Sequence, residues 1–283
     1  MSALTLPKTP STIQPENYRF LQQFVYAGSG IVLEEDKHYL LEARLSSLAR
    51  NRGLASINDL CALIRATNGA DDKGVKQAVV EAMTTNETYF FREPAQYDAV
   101  KTVLLRDLRE LRASTRKLSF WSAASSTGQE AYTMAMMLNE LGFGDWNVQI
   151  LGTDLNQQMV DRARAGRYLQ IEVNRGLPSP YLVKYFRRRG VDWQLSDNIR
   201  EMARFEQFDL RHKMKAFGPF DLVFIRNVLV YFDAPTRRQI LREIHSTLFR
   251  GGWLLLGSAE VPSGLDDIFE RLPIGNCTAY VAK

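Results

Sequence analysis

Apolar positions keep one spacing through the first third of the chain and another through the rest. Between residues 18 and 83 they recur at helical intervals. Tyr18–Gly28 carries Phe20, Leu21, Phe24 and Val25. Glu34–Arg52 carries Leu41, Leu45 and Leu48 at i, i+4 and i+7, and Gly53 stops it. Ser56–Ala66 and Gly74–Met83 complete a four-helix unit, with an exposed turn at Gly69–Gly74. Ala95–Arg112 is a further amphipathic helix. Beyond it, short apolar runs alternate with helical stretches. Leu118–Trp121, Trp146–Thr153, Phe220–Arg226, Trp253–Gly257 and Thr278–Ala282 read as buried strands. Gln129–Leu138, Asn156–Ala165 and Pro235–Leu248 read as the helices, the last closed by Gly251-Gly252. Such alternation predicts an α/β protein with a mostly parallel, doubly wound sheet.

Residues 167–207 interrupt the pattern. A turn-rich segment (Val173–Pro180), a short helix (Tyr181–Phe186) and a basic turn (Arg187-Arg188-Arg189-Gly190) precede two short strands, Trp193–Leu195 and Ala203–Phe205. The expectation is an inserted antiparallel hairpin flanked by positive charge. The domain plan is a flexible arm at 1–17, a helical domain at 18–83, a linker at 84–98, and an α/β domain at 99–283. Within the last, the β-subdomain falls at about 170–207.

The central stretch is Lys117–Leu138: a strand, seven small residues (Ser122–Gly128), then a helix. Small residues let backbone approach a ligand, and the new helix points unpaired N–H groups at the turn. Phosphate signatures are missing: neither G-x-x-x-x-G-K-[ST] nor G-x-G-x-x-G occurs. The helix opens with Glu130, which disfavours phosphate and suits hydroxyls or a positive charge. Asp154 ends the second strand, where a carboxylate can accept both hydroxyls of a ribose. Both acids also fit helix-capping patterns, Thr127-x-x-Glu130 and Asp154-x-x-Gln157, so each reads as cap or ligand. In a doubly wound sheet, ligands bind outside the carboxyl ends of the strands. Here those ends carry Ser122–Glu130, Asp154, Asp209 and Arg226-Asn227. The linker TTNETYFFR (Thr84–Arg92) is dense in hydrogen bonders and aromatics, and reads as a capped helix start or as a ligand-touching segment.

Bulk properties narrow the class. The chain has 283 residues, 45% hydrophobic and 24% charged, ordinary for a globular protein. No apolar run is long enough to span a membrane, and the N-terminus is not a secretory signal. Cys61 and Cys277 are far apart, so reduced thiols in the cytoplasm are expected. The net charge of +4 arises entirely after residue 85 and fits an anionic partner: nucleic acid, a membrane surface or an acidic protein face. No G-x-S-x-G elbow, catalytic triad or metal spacing is present. A cofactor pocket without an evident base fits a nucleophile that is already ionised, and methyl transfer to a carboxylate is such a reaction.

TTNETYFFRE (84–93), FWSAASSTGQEAY (120–132), ILGTD (150–154), FDLVFIRNVLVYFD (220–233) and GGWLLLGSAE (251–260) together resemble the CheR family, over about residues 18–283. The resemblance implies a small all-helical N-terminal domain. It also implies a Rossmann-like class I methyltransferase domain with an inserted antiparallel β-subdomain. The implied activity is transfer of methyl from S-adenosylmethionine to glutamate carboxylates of bacterial chemoreceptors, with S-adenosylhomocysteine as product. Carried over by position, cofactor contacts fall on Asn86, Thr88, Arg92, Glu130, Asp154, Asp209, Leu210, Arg226 and Asn227. Arg92 and Tyr231 fall near the transferring methyl group. Arg44, Arg50 and Arg52 fall on a basic helix that faces acidic receptor helices. The partner implied is the cytoplasmic helical domain of chemoreceptors, met by a monomer without nucleic acid, membrane insertion or metal.

Three positions depart from the family pattern. Asp209 stands where Asn is common, Ala131 where Pro is common, and the segment from Phe186 to Phe208 is short. The last implies an enzyme that works without a tether at the receptor's C-terminal peptide. Two other readings are a methyltransferase acting on nucleic acid and a non-catalytic cofactor sensor or scaffold. The first lacks an N-P-P-Y-type acceptor motif or a Cys nucleophile. The second sits badly with the presence of Arg92, Asp154, Asn227 and Tyr231.

Overall fold

The computed structural model describes residues 12–66 and 73–283. The expected arm lies mostly outside the described residues, and so does most of the Gly69–Gly74 turn. The chain forms two compact units, Met1–Thr85 and Asn86–Lys283.

The first unit packs four helices: α1 (Pro15–Ser29), α2 (His38–Asn51), α3 (Ile57–Ala66) and α4 (Lys73–Met83). Leu21 and Val25 meet Leu41, Leu45, Leu60, Cys61 and Val79 in a fully buried core, so the helical spacing in the sequence is the core itself. Burial pushes the Cys61 thiol up to about 11, which leaves it protonated and inert. Gly28 lets α1 approach α4, since a Cβ there would lie 2.4 Å from a Val80 methyl. Arg44 closes the end of α4: its guanidinium donates to the carbonyls of Met83 (2.6 Å) and Thr84 (3.1 Å) and to Thr85 Oγ1 (2.9 Å).

The second unit begins with α5 (Pro94–Ala99), a π turn (Val100–Leu104) and α6 (Leu105–Leu111), three pieces of the single helix expected at 95–112. There follow β1 (Lys117–Ala123), α7 (Gln129–Glu140), β2 (Asn147–Asp154), α8 (Gln157–Ala165) and β3 (Arg167–Leu169). Next come α9 (Gln170–Asn174), α10 (Ser179–Tyr185), β4 (Phe186–Arg189), β5 (Asp192–Leu195), α11 (Asp197–Arg200) and β6 (Ala203–Gln207). The chain ends with β7 (Phe220–Ile225), α12 (Ala234–His245), β8 (Leu248–Leu256), β9 (Phe269–Ile274) and β10 (Cys277–Ala282).

Seven strands form the main sheet in the order β6-β2-β1-β7-β8-β10-β9. The first five run parallel; β10 runs antiparallel to β8, and β9 antiparallel to β10. Alternate residues of each strand enter opposite cores, as a period of two requires. Phe120, Ile150, Leu222, Phe224 and Leu255 join the face covered by α7 and α8. Trp121, Leu151, Val223, Ile225 and Leu254 join the face covered by α12. Chain order runs outward from β1 through β2 to β6 in one direction and from β7 to β8 in the other. The switch point, and with it the binding crevice, therefore lies between the carboxyl ends of β1 and β7.

Two expectations need correction, and one strand was not anticipated. Ala203–Phe205 is not half of a hairpin: β6 pairs in parallel with β2 at the sheet edge. The slot for it is made by Gly152, where a Cβ would sit 2.3 Å from the Phe205 ring. The inserted sheet is instead β3-β5-β4, its hairpin closed by Gly190-Val191. The helix expected to reach Leu248 ends at His245, because β8 already starts there and runs through Gly251-Gly252. Gly252 is needed inside that strand, since a Cβ would meet the Phe249 carbonyl at 2.8 Å. Finally, β9 carries Pro273 and charged residues on an exposed edge, and so shows no apolar run.

Candidate active site

The turn after β1 is held by backbone bonds. Ser125 N donates to Thr153 O at 2.8 Å and Gly128 N to Ser125 O at 2.9 Å. Gly128 takes φ +89°, and a Cβ there would press on Ala163, Phe205 and Tyr132 at 3.0–3.2 Å. This residue must be glycine on both counts. Asp154 Oδ2 accepts from Ser126 N (2.8 Å) and its Oδ1 from Asn156 N (2.9 Å). Asp154 therefore fixes the turn to the end of β2. It does not cap α8, a task done by the Asn156 side chain.

Glu130 does not cap its helix either. Its Oε1 accepts from Ser122 Oγ (2.7 Å), and its Oε2 pairs with Arg226 Nη1 (2.8 Å). Arg226 is the hub of the rim. Its side chain, only 2% exposed, also lies 3.4 Å from Glu93 and donates to the backbone carbonyl of Arg92. Burial works against the Arg226 charge, but Tyr97, Glu130 and Glu93 outweigh it and raise its pKa. Burial likewise pushes the Glu93 carboxyl up. The hydrogen bond from Asn227 and the nearby Arg226 more than offset this, so its pKa ends below the ordinary value. One guanidinium against two carboxylates leaves the cluster net negative. Glu130 alone is thus not the acidic feature; Glu130, Glu93 and Arg226 together are.

The segment from Asn86 to Glu93 forms a strap over this cluster and belongs to the second unit. Asn86 O accepts from Ser126 Oγ at 2.9 Å. Arg92 is half-buried, with Nη1 on Glu87 O at 2.7 Å and its guanidinium 5.6 Å from the Tyr89 ring centre. Glu87 pairs with Arg175, whose hydrogen bond holds the carboxyl below its usual range. Phe91 and Glu93 have positive φ, as do Ala124, Ser126 and Asn227 across the cleft. Non-glycine residues hold such angles only where their surroundings force them. The cleft is therefore built to one shape.

Thr88, Arg92, Glu130, Arg226 and Asn227 line one cleft together with Ser125. Among the expected site residues, Asn86 and Asp154 join it through Ser126. Asp209 and Leu210 follow β6, whose register places Gln207 beside Asp154. The Asp209 carboxylate is gripped by Arg211 (2.6 Å) and Leu210 is buried in the core; neither lines the cleft. Tyr231, half-buried, ends a 3-10 turn (Leu229–Tyr231) just beyond Asn227. Arg44, Arg50 and Arg52 belong to the other unit. Arg44 is spent on the end of α4 and Arg52 donates to Gly74 O at 3.0 Å, while Arg50 is exposed and among the described residues reaches only Ser47, at 3.3 Å.

Glu93, Glu260 and Gly257 have no assigned role in the sequence reading. Glu260, 7% exposed, accepts four backbone N–H bonds: from Asn227 (2.7 Å), Gly257 (2.8 Å), Leu229 (2.7 Å) and Val230 (3.3 Å). It sets the strained loop after β7. Gly257 makes room for it, since a Cβ would fall 2.7 Å from both Glu260 Oε2 and Asn227 Nδ2. Gly257→Ala should cost about 1–3 kcal/mol by overpacking and weaken cofactor binding, read by thermal melting and calorimetry. An unchanged melting temperature would show that the loop yields freely. The sequence signals for Glu260 are its place at the end of the GGWLLLGSAE motif and an acid set just after an apolar strand, neither of which gives its role.

A doubly wound sheet with a carboxylate, Glu130, in its switch-point cleft and no phosphate cradle fits an S-adenosylmethionine-dependent methyltransferase. Its residues fit that cofactor, which is a cation without phosphate. Ser125 Oγ and Asn227 Oδ1 are buried without partners among the described residues and line the cleft as ready hydrogen-bonding groups. Comparison with known proteins agrees. The CheR methyltransferase SAM binding domain matches residues 86–277, and the CheR methyltransferase all-alpha domain matches residues 16–84. The chain belongs to the CheR methyltransferase family. It is 36% identical to chemotaxis protein methyltransferase 1 of Pseudomonas aeruginosa, over 94% of this chain and 98% of that one. It is 38% identical to the chemotaxis protein methyltransferase of Vibrio anguillarum, over 97% and 100%. Magnesium protoporphyrin IX methyltransferase from Synechocystis PCC 6803, solved with bound SAM, is 15% identical with a TM-score of 0.40, covering 84% of this chain and 96% of that one.

Proposed function

We propose that this chain is a protein-glutamate O-methyltransferase of the cytoplasm, which esterifies glutamate side chains on the helical signalling domain of chemoreceptors. The bound cofactor supplies an electrophilic methyl group. In this reading Asp154 takes the ribose hydroxyls, Glu130, Arg226 and Asn227 hold the amino-acid end, and Asn86 and Thr88 cover it. Asp209 and Leu210, outside the lined cleft and further along the rim after β6, are assigned to the base end of the cofactor.

One observation carries the choice of acceptor. The cleft is lined by no histidine, cysteine or lysine among the described residues, and its carboxylates are already engaged, Glu130 by Arg226 and Glu87 by Arg175. No group stands ready to remove a proton. A hydroxyl acceptor would need such a base. A glutamate carboxylate does not, being ionised at neutral pH. Arg92, at the cleft with its remaining guanidinium nitrogens, can hold that carboxylate in line, with Tyr231 beside it. The receptor-side role of the first unit falls to the exposed Arg50; Arg44 and Arg52 contribute by shaping its helices. The hairpin of the inserted sheet is closed by two residues, Gly190-Val191, too little chain for a long docking loop. This supports action without a tether at the receptor's C-terminus.

Incubation with methyl-labelled S-adenosylmethionine and receptor membranes tests the reading. Label should enter receptors and leave as volatile methanol when the pH is raised, and trimming the receptor tail should change the rate less than about three-fold. Label that survives alkali would overturn ester formation. No labelling at all would favour a cofactor sensor or scaffold. Transfer lost on trimming would restore the tether.

A further inference from the structure

Beside the cleft lies a groove of about 220 Å³ whose contents the cofactor site does not use. Leu229 and Leu241 form its floor, both 2% exposed, and Val230 and Val261 stand at its edges, 52% and 62% exposed. Arg237 and Arg238 line it from the first half of α12. Both are exposed, and neither guanidinium has a hydrogen-bond or ion-pair partner among the described residues. Arg242, one turn further on, does have one, in Asp267 at 3.5 Å.

Helix stability does not explain this pair. Cations near a helix N-terminus oppose its dipole, and α12 already has its cap, with Asp233 accepting from Thr236 N at 2.8 Å. Two unpaired arginines beside exposed valines are instead complementary to a surface that is both acidic and apolar. We infer that this groove seats the helix that carries the methyl-accepting glutamate, through its acidic, amphipathic flank; the inference rests on the acceptor reading above.

The geometry of an acceptor helix demands such a seat. A helix about 10 Å across cannot enter the cleft, so its target side chain must reach in while the helix lies over the rim. Residues one or two turns away, about 5–11 Å along the axis, then fall on neighbouring surface. On this side that surface is the groove, because its wall is the turn bearing Tyr231. Glu260 ties the two together. Its Oε1 holds Leu229 and Val230 on the groove wall, and its Oε2 holds Asn227 in the cleft. Apolar side chains of the flank fill the space between Val230 and Val261, and its carboxylates meet Arg237 and Arg238.

The test uses the whole protein with a soluble cytoplasmic receptor fragment. Arg237→Glu with Arg238→Glu should raise KM for the fragment about ten-fold at low salt, with the difference shrinking in 0.5 M salt as screening predicts (roughly 4 Å Debye length). KM for S-adenosylmethionine and the melting temperature should stay within error, since acids in the first turns suit a helix. Val261→Ser, which removes apolar contact without adding charge, should raise the fragment KM with little dependence on salt. Unchanged fragment KM in both variants, with wild-type transfer intact, would overturn the groove alone. An equal rise in both KM values would place the effect in the cofactor cleft and also overturn it. No transfer by the wild type to any receptor fragment would overturn the acceptor reading, and the occupant with it.

Discussion

Arg226→Met should lower the urea midpoint of the second unit by about 1–2 M, the equivalent of about 3–5 kcal/mol, and abolish binding of S-adenosylhomocysteine. The guanidinium is almost wholly buried, and three groups from two elements meet on it: Glu130 at the start of α7, and Glu93 and the Arg92 carbonyl from the strap. A neutral side chain of similar length keeps the packing but strands two carboxylates in low dielectric. Stranding a buried charge costs far more than the intact pair contributes. The strap loses its anchor at the same time. All four tryptophans lie after residue 85, so their fluorescence follows this unit without interference from the helical one. Glu130→Gln is the discriminating control. It leaves Arg226 with Glu93, so it should cost clearly less stability while still weakening ligand binding. Equal losses from both variants would mean that Glu130, rather than Arg226, is the hub.

How far the sequence reaches is clearest at Glu130 and Asp154. Both stand at strand-turn-helix junctions, and each fits a cap as well as a ligand. Their spacing could locate them but not say where their oxygens point. That is decided by residues far along the chain, Arg226 for one and the Ser126 backbone for the other. The alternation of strands and helices was legible because the apolar runs of β1, β2, β7 and β8 are buried on both faces. β9 escaped because its edge is exposed and charged. β6 was visible as a strand but misplaced, since the cue to its partner is the absence of a side chain at Gly152. Glu260 and Gly257 stood inside the quoted GGWLLLGSAE stretch, but their roles were not legible, for a related reason. Their work is done on backbone N–H groups and empty space, and neither leaves a pattern in residue type.

The rim also explains why an arginine could be buried there at all. Arg226 links the strap to the turn after β1, so the cleft's two walls share one charge network. The strained angles at Phe91, Glu93, Ala124, Ser126 and Asn227 cost roughly 1 kcal/mol or more each. The network and the four bonds on Glu260 hold them in place. A cleft fixed in this way has little to rearrange when cofactor arrives, and its unpaired Ser125 Oγ and Asn227 Oδ1 are already positioned.

Arg92→Ala should reduce kcat for receptor methylation about 100-fold while changing the Kd for S-adenosylhomocysteine less than ten-fold. The acceptor carboxylate loses charge as it is methylated. A neighbouring cation therefore stabilises the starting anion at least as well as the transition state, and it cannot accelerate transfer through charge alone. What the guanidinium can supply is alignment, where an error near 1 Å is worth about two orders of magnitude. Arg92 is suited to that. One nitrogen is anchored on the Glu87 carbonyl at 2.7 Å, and the planar fork presents its other donors in a fixed direction. Arg92→Lys keeps the charge but not the fork, so it should recover less than a tenth of the lost rate. A lysine variant near wild-type rate would show that charge, not alignment, is what the position provides. An alanine variant within three-fold of wild type would remove Arg92 from the reaction altogether.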